Sequence, residues 1–164
     1  MEIAVRFLGT RPRTRWELSR RLRRGGAAPH VIEATLERLA ELSYIDDLAF
    51  ARWWIEERDR HAPRGRRLVE AELRQRGVPL EVLESLRDEA TAGAPPDAEG
   101  PPATEDDRAR IALDRHLRGR PLPTDQRALQ RVGMFLVRRG FDPETVRGAL
   151  RTASEGEGLS TDDQ

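Results

Sequence analysis

The chain of 164 residues contains no cysteine and no lysine. Without cysteine there is no disulfide and no thiolate zinc site. Without lysine, all 29 basic residues are arginine. GC-rich coding is the plain explanation of that bias. Its chemical consequence is a planar guanidinium at every basic position, able to grip phosphate or carboxylate through two parallel hydrogen bonds. No apolar run approaches the roughly 20 residues that cross a bilayer, and the N-terminus lacks the apolar region of a secretory signal. A soluble, cytoplasmic protein is expected, with no membrane partner. The three histidines (His30, His61, His116) are scattered, and none stands in metal-ligand spacing with another. His61 and His116 read as solvated. There is no glycine-rich phosphate loop and no local nucleophile motif. These absences predict a protein that is not an enzyme, with no catalytic residue, cofactor, metal or small-molecule substrate.

Apolar residues make up 37% of the chain and charged residues 35%. That is too little apolar surface for one large core, and it suits small helical units in a row. The stretch from Asp46 to Leu86 shows what such a unit looks like. Asp46 is a good N-cap, Ile45 and Phe50 stand at the two positions of a hydrophobic staple, and Asp47 puts charge where the helix dipole favours it. Phe50, Trp53, Trp54 and Ile55 form an apolar stripe at helical spacing. After a break at 61–65, a second helix runs from Arg66 to Arg76 and stops at Gly77. Pro79 opens a third, carrying Val82, Leu83 and Leu86.

The unit recurs. A leucine, a glycine four residues on, a small or apolar residue next, and an apolar pair at the ninth and tenth positions describe Leu73, Gly77, Val78, Val82 and Leu83. They also describe Leu22, Gly26, Ala27, Val31 and Ile32. Leu136, Gly140, Phe141, Thr145 and Val146 fit except at Thr145. Capping signals support the reading: Thr14 with Glu17, Thr104 with Asp107, Thr124 or Asp125, and Asp142 before Pro143. The fold expected is all-α, an elongated tandem array of three-helix repeats that resemble helix-turn-helix units. Repeat one covers 1–43 and is shorter at its start than the middle copy. Repeat two covers 44–90, a flexible Pro/Gly-rich linker 91–103, repeat three 104–153, and a disordered acidic tail 154–164.

The net charge is zero, but its distribution is uneven. Residues 11–24 and 108–151 are rich in arginine, whereas 88–107 carry only acids. On the second helix of each trio the arginines recur: Arg20, Arg21, Arg23 and Arg24; Arg66, Arg67, Arg74 and Arg76; Arg127, Arg131, Arg138 and Arg139. A solvated charged face would explain one such helix. Three in register suggest basic faces that contact a polyanion or a protein–nucleic-acid filament. Sequence-specific DNA reading is disfavoured, because the third helix of the first two trios, which would enter a groove, carries Glu33, Glu37 and Glu41, or Glu81, Glu84 and Asp88. Trp16, Trp53 and Trp54 have rings that could stack on bases, although Trp54 falls on the core stripe. Asp46-Asp47 reads as capping and not as a metal pair.

Three stretches resemble the RecX family, the regulatory proteins of the bacterial recombinase RecA. They are Leu42-Ser43-Tyr44-Ile45-Asp46-Asp47 with Phe50-Ala51, Arg64-Gly65-Arg66-Arg67 with Glu72-Leu73-Arg74-Gln75-Arg76-Gly77-Val78, and Val132-Gly133-Met134-Phe135-Leu136-Val137-Arg138-Arg139-Gly140-Phe141. The resemblance spans about residues 6–152. Ser43 departs from it, standing where a small residue or glycine is usual. It implies tandem three-helix repeats and a monomer that binds the groove of the RecA filament on single-stranded DNA. It also implies inhibition of RecA in DNA repair, recombination and the SOS response, with contacts to single-stranded DNA in some members. Tyr44, Ile45, Asp46, Asp47, Phe50 and Ala51 then serve in capping and core, and the twelve arginines above are the candidate contacts to partner or DNA. The alternative is a helical repeat protein that binds nucleic acid without sequence specificity.

Overall fold

A computed structural model of the chain describes residues 2–92 and 104–158, which form nine α-helices and no strand. The first trio is α1 (Glu2–Leu8), α2 (Arg15–Arg24) and α3 (Pro29–Glu41). The second is α4 (Asp47–His61), α5 (Arg66–Gln75) and α6 (Leu80–Ala92), and the third α7 (Glu105–Leu117), α8 (Gln126–Arg138) and α9 (Pro143–Gly158).

The repeated leucine–glycine signature is a helix-ending device. In each trio the residue after the glycine donates its N–H to the carbonyl of the anchor leucine: Ala27 to Leu22 at 3.2 Å, Val78 to Leu73 at 3.1 Å, Phe141 to Leu136 at 3.3 Å. The glycine N–H bonds to the carbonyl three residues back, and φ is +80°, +75° and +90° at Gly26, Gly77 and Gly140. This is the Schellman pattern, which satisfies two orphan carbonyls and favours a residue without Cβ at its left-handed position. The three leucines are buried. α3 ends the same way, but with Ser43 at φ +57° in the left-handed position and Tyr44 N–H bonded to the Leu39 carbonyl.

Helix starts follow the expected caps, with one difference, at Thr14. Asp46 accepts the N–H groups of Leu48 and Ala49, and Asp125, not Thr124, accepts that of Ala128. Thr104 and Asp107 form the full reciprocal box. At Thr14 only half of the box forms. The hydroxyl accepts the Glu17 N–H at 3.1 Å, while the Glu17 carboxylate turns to Arg11 at 2.9 Å, a charged partner worth more than a backbone N–H. At the other end of the chain, α9 runs to Gly158, past the expected end at Ala153. No proline interrupts it after Pro143, and the Ser154 hydroxyl bonds back to the Arg151 carbonyl instead of breaking the turn. α6 likewise continues into the expected start of the linker, to Ala92. The remainder of that linker, 93–103, and of the tail, 159–164, lies outside the described residues.

The chain divides into two compact units, residues 1–56 with 70–96 and residues 57–69 with 97–164. The division falls inside α4 and α5, so each of these helices lends one end to each unit. In the first unit α1 packs on α2 and α2 on α3, around Ala4, Leu18, Leu22, Ile32, Leu36, Leu39 and Ile45. In the second, α7, α8 and α9 pack on one another around Leu113, Val132, Leu136, Phe141 and Val146.

Candidate protein and nucleic-acid interface

Neighbouring trios are joined by one junction built twice. The first backbone N–H of α2, on Arg15, donates to Asp47 Oδ1 at 2.8 Å. The first N–H of α5, on Arg66, donates to Glu105 Oε1 at 2.9 Å. In both cases an acid at the first position of the next trio's first helix caps the second helix of the trio before it. Burial pushes the Asp47 and Glu105 carboxyls above their ordinary range, and the backbone donors of Arg15 and Arg66 pull the other way.

A second bond repeats beside the first. The Thr14 hydroxyl donates to the Arg76 carbonyl at 2.6 Å, and the Gly65 N–H donates to the Arg139 carbonyl at 2.9 Å. Thr14 and Gly65 both stand eight residues before an anchor leucine, and Arg76 and Arg139 both precede a turn glycine. Gly65 lies so close to Gly140 and Phe141 that a Cβ there would overlap their backbone, so a backbone donor replaces the side-chain one.

The family motif is mostly structural. Ile45, Phe50 and Ala51 are buried, and Asp46 caps its own helix. Asp47 was legible as a dipole complement, but its bond to the preceding trio was not. Tyr44 differs from the core role expected for it: its side chain is 59% exposed, because it follows the left-handed Ser43, and its N–H makes the fixed contact. Trp54 is buried and donates from Nε1 to Glu72 at 2.9 Å, whereas Trp16 is exposed.

The candidate arginines fall into two classes. Ten are exposed: Arg20, Arg21, Arg23 and Arg24 on α2, Arg66, Arg67 and Arg74 on α5, and Arg127, Arg131 and Arg138 on α8. Arg74 pairs with Glu70 at 3.1 Å, and Arg20 lies over the Trp16 ring at 5.2 Å. Arg76 and Arg139 are half-buried instead. The Arg76 guanidinium sits 3.7 Å from the Trp54 ring centroid, and Arg139 donates to the Pro63 carbonyl at 3.3 Å and lies 4.9 Å from the Phe135 ring. Nor do the four arginines of the middle trio form one group, since Arg66 and Arg67 belong to the second unit and Arg74 and Arg76 to the first.

Three domain models match the chain in order: the first three-helix domain of RecX over residues 1–39, the second over 46–85 and the third over 104–150. The chain belongs to the RecX family. The regulatory protein RecX of Thermobifida fusca (strain YX) is 40% identical over 98% of this chain and 81% of its own length. That of Prosthecochloris aestuarii (strain DSM 271 / SK 413) is 37% identical over 90% and 88%. The crystal structure of RecX from Lactobacillus salivarius shares the fold, with a TM-score of 0.73 and 14% identity over 92% of both chains. No group of three or more His, Asp or Glu among the described residues is placed to bind a metal ion, and no helix among them is long and apolar enough to cross a membrane.

Proposed function

We propose that this RecX-family protein is a non-catalytic, cytoplasmic regulator that acts as a monomer. It lies in the groove of the RecA filament on single-stranded DNA and restrains that filament in repair, recombination and the SOS response. The trios within 1–43, 44–90 and 104–153 are the contacting units. Arginines on α2, α5 and α8 supply the contacts, and the ten exposed ones have guanidinium groups that reach solvent. The observation that carries the proposal is the match of all three RecX domains along one chain, with near-complete coverage by a regulatory protein at 40% identity. Arg76 and Arg139 act mainly by holding the junctions.

The test is the ATPase rate of a RecA filament on single-stranded DNA, with and without substoichiometric protein. Inhibition at ratios well below those that coat the DNA supports the filament as the target. A second reading, general nucleic-acid binding, is favoured by the same exposed arginines. It predicts no inhibition, together with tight DNA binding by the protein alone that falls steeply with salt.

A further inference from the structure

The second unit contains a concavity of about 430 Å³ whose lining is basic and aromatic. Arg115 and His116 come from the end of α7, Arg118 and Arg120 from the following loop, Phe135 and Arg139 from the end of α8, and His61 from the end of α4. No carboxylate is among the lining residues. Elsewhere in the chain Arg11, Arg38, Arg87, Arg108 and Arg110 each pair with an acid. Among the described residues, Arg115, Arg118, Arg120 and Arg139 have no carboxylate within 4.0 Å.

The guanidinium groups are positioned by backbone oxygens. Arg115 donates to the Arg60 carbonyl at 3.3 Å, Arg120 to that of Leu117 at 3.2 Å, and Arg139 to that of Pro63 at 3.3 Å. These bonds offset the negative ends of α4 and α7, and each leaves most of a guanidinium's five donors for another acceptor. His116 is stacked on Phe135, with ring centroids 3.8 Å apart and planes 16° from parallel. His116 is itself exposed.

The first junction shows how this space arises. There Trp54, seven residues after the capping Asp47, fills the corresponding position and packs under Arg76. Seven residues after Glu105 stands Ala112, which is buried and lines the concavity. A small residue in place of an indole leaves the second junction open.

From the uncompensated arginines and the adjacent stacked ring, we propose that this concavity binds one nucleotide unit of a single-stranded nucleic acid. Arg115, Arg118 and Arg120 hold the phosphate, and the base stacks on the exposed His116. The volume lies within the range of small-ligand pockets. The site involves none of the exposed arginines of α2, α5 and α8, and its test uses no RecA, so it stands or falls apart from the proposed regulation.

The test uses the full chain and a fluorescent twelve-residue oligothymidylate, titrated at several salt concentrations. R115Q/R118Q removes two charges from the site, and R147Q/R151Q removes two from α9. The first double variant is expected to weaken binding at least tenfold at low salt. It should also make the slope of log K against log salt shallower by up to about 0.7, the loss of the site's one phosphate contact on a single strand. The α9 variant should shift the affinity less than threefold. Equal losses in both variants, or no loss in the first, overturn the site. H116A should weaken the oligothymidylate but not an abasic oligomer of equal length, and equal effects on both overturn the stacking role. Should a variant fail to fold by circular dichroism, the wild type decides. In its NMR spectrum the Nε–H resonances of Arg115, Arg118 and Arg120 and the His116 ring should move on adding the oligomer. Shifts confined to α2 and α5 overturn the proposal.

Discussion

The Thr14 hydroxyl lies 2.6 Å from the Arg76 carbonyl and donates to it, while its oxygen accepts the Glu17 N–H at 3.1 Å. One fully buried hydroxyl thus caps α2 and ties it to the end of α5. Thr14→Val keeps the shape and removes both bonds, leaving a buried carbonyl and an N–H unsatisfied. It should cost roughly 2–3 kcal/mol. Thr14→Ser should recover most of that loss. Urea denaturation of the three proteins measures it, and a loss below half a kcal/mol in the valine variant would remove the hydroxyl from this role.

The turn glycines and Gly65 separate strain from overlap. At Gly119 φ is +74° and nothing lies within 4 Å of an added Cβ, so Gly119→Ala should cost only about 1 kcal/mol of left-handed strain. At Gly65 the Cβ would overlap the backbone of Gly140 and Phe141. Backbone cannot rotate away as a side chain can, so Gly65→Ala should cost more than 3 kcal/mol. Midpoints of thermal melts give the order directly.

Ser43 takes φ +57° at the end of α3 without the freedom of glycine. Ser43→Gly relieves that strain and gives back part of the gain as unfolded-state entropy. A net stabilisation of about 0.5 kcal/mol is expected, read as a higher denaturant midpoint at unchanged slope.

Two kinds of carboxylate should give opposite pH dependences. The Thr145 N–H, with the Thr145 hydroxyl and the Glu144 N–H, holds the Asp142 carboxyl below its ordinary range. Its folded pKa is depressed, so its stabilisation is present above the unfolded value, about 3.9, and lost as pH falls through the folded one. Asp142→Asn should therefore narrow its deficit to wild type as pH is lowered below about 4. Burial raises the Asp47 and Glu105 carboxyls, so their contribution is present below the unfolded value and lost as pH rises through the folded one. Asp47→Asn keeps an oxygen for the Arg15 N–H and should gain on wild type over that rise. Equilibrium unfolding from about pH 2 to about pH 7, which brackets the unfolded values near 4, reads both signs.

Charge reversal at Arg21, Arg24 and Arg74 tests the proposed contact faces without touching a junction, which Arg76 would. All three are exposed. The triple glutamate variant should keep the helical circular dichroism signal and lose at least tenfold in potency against the RecA ATPase. Full potency in a folded variant would remove these faces from the interface.

Local chemistry made much of the fold legible. Asp46, Thr104 and Asp142 announced helix starts, and the leucine–glycine register announced three helix ends that the structure builds with the same bonds. Contacts between trios were less legible. Asp47 meets a backbone N–H, which has no residue identity to betray it, 32 positions earlier. The stacking of His116 on Phe135 joins two helices whose separate patterns show only a polar residue and a core residue. Among the candidate arginines, those before the turn glycines shared a sequence pattern with exposed neighbours. Only packing distinguishes Arg76, stacked on Trp54, from Arg74, exposed beside Glu70.

The twice-built junction also determines where this protein can be cut and rejoined. A chimera spliced between trios would separate Thr14 and Arg15 from their acceptors, or Gly65 and Arg66 from theirs, and bring in a neighbour with no matching history. The interchangeable cassette is therefore not the trio that the sequence repeats. It is the donor end of one second helix together with the acid and the carbonyl that receive it. Substitutions accepted on one side of that seam should be found alongside compensating ones on the other.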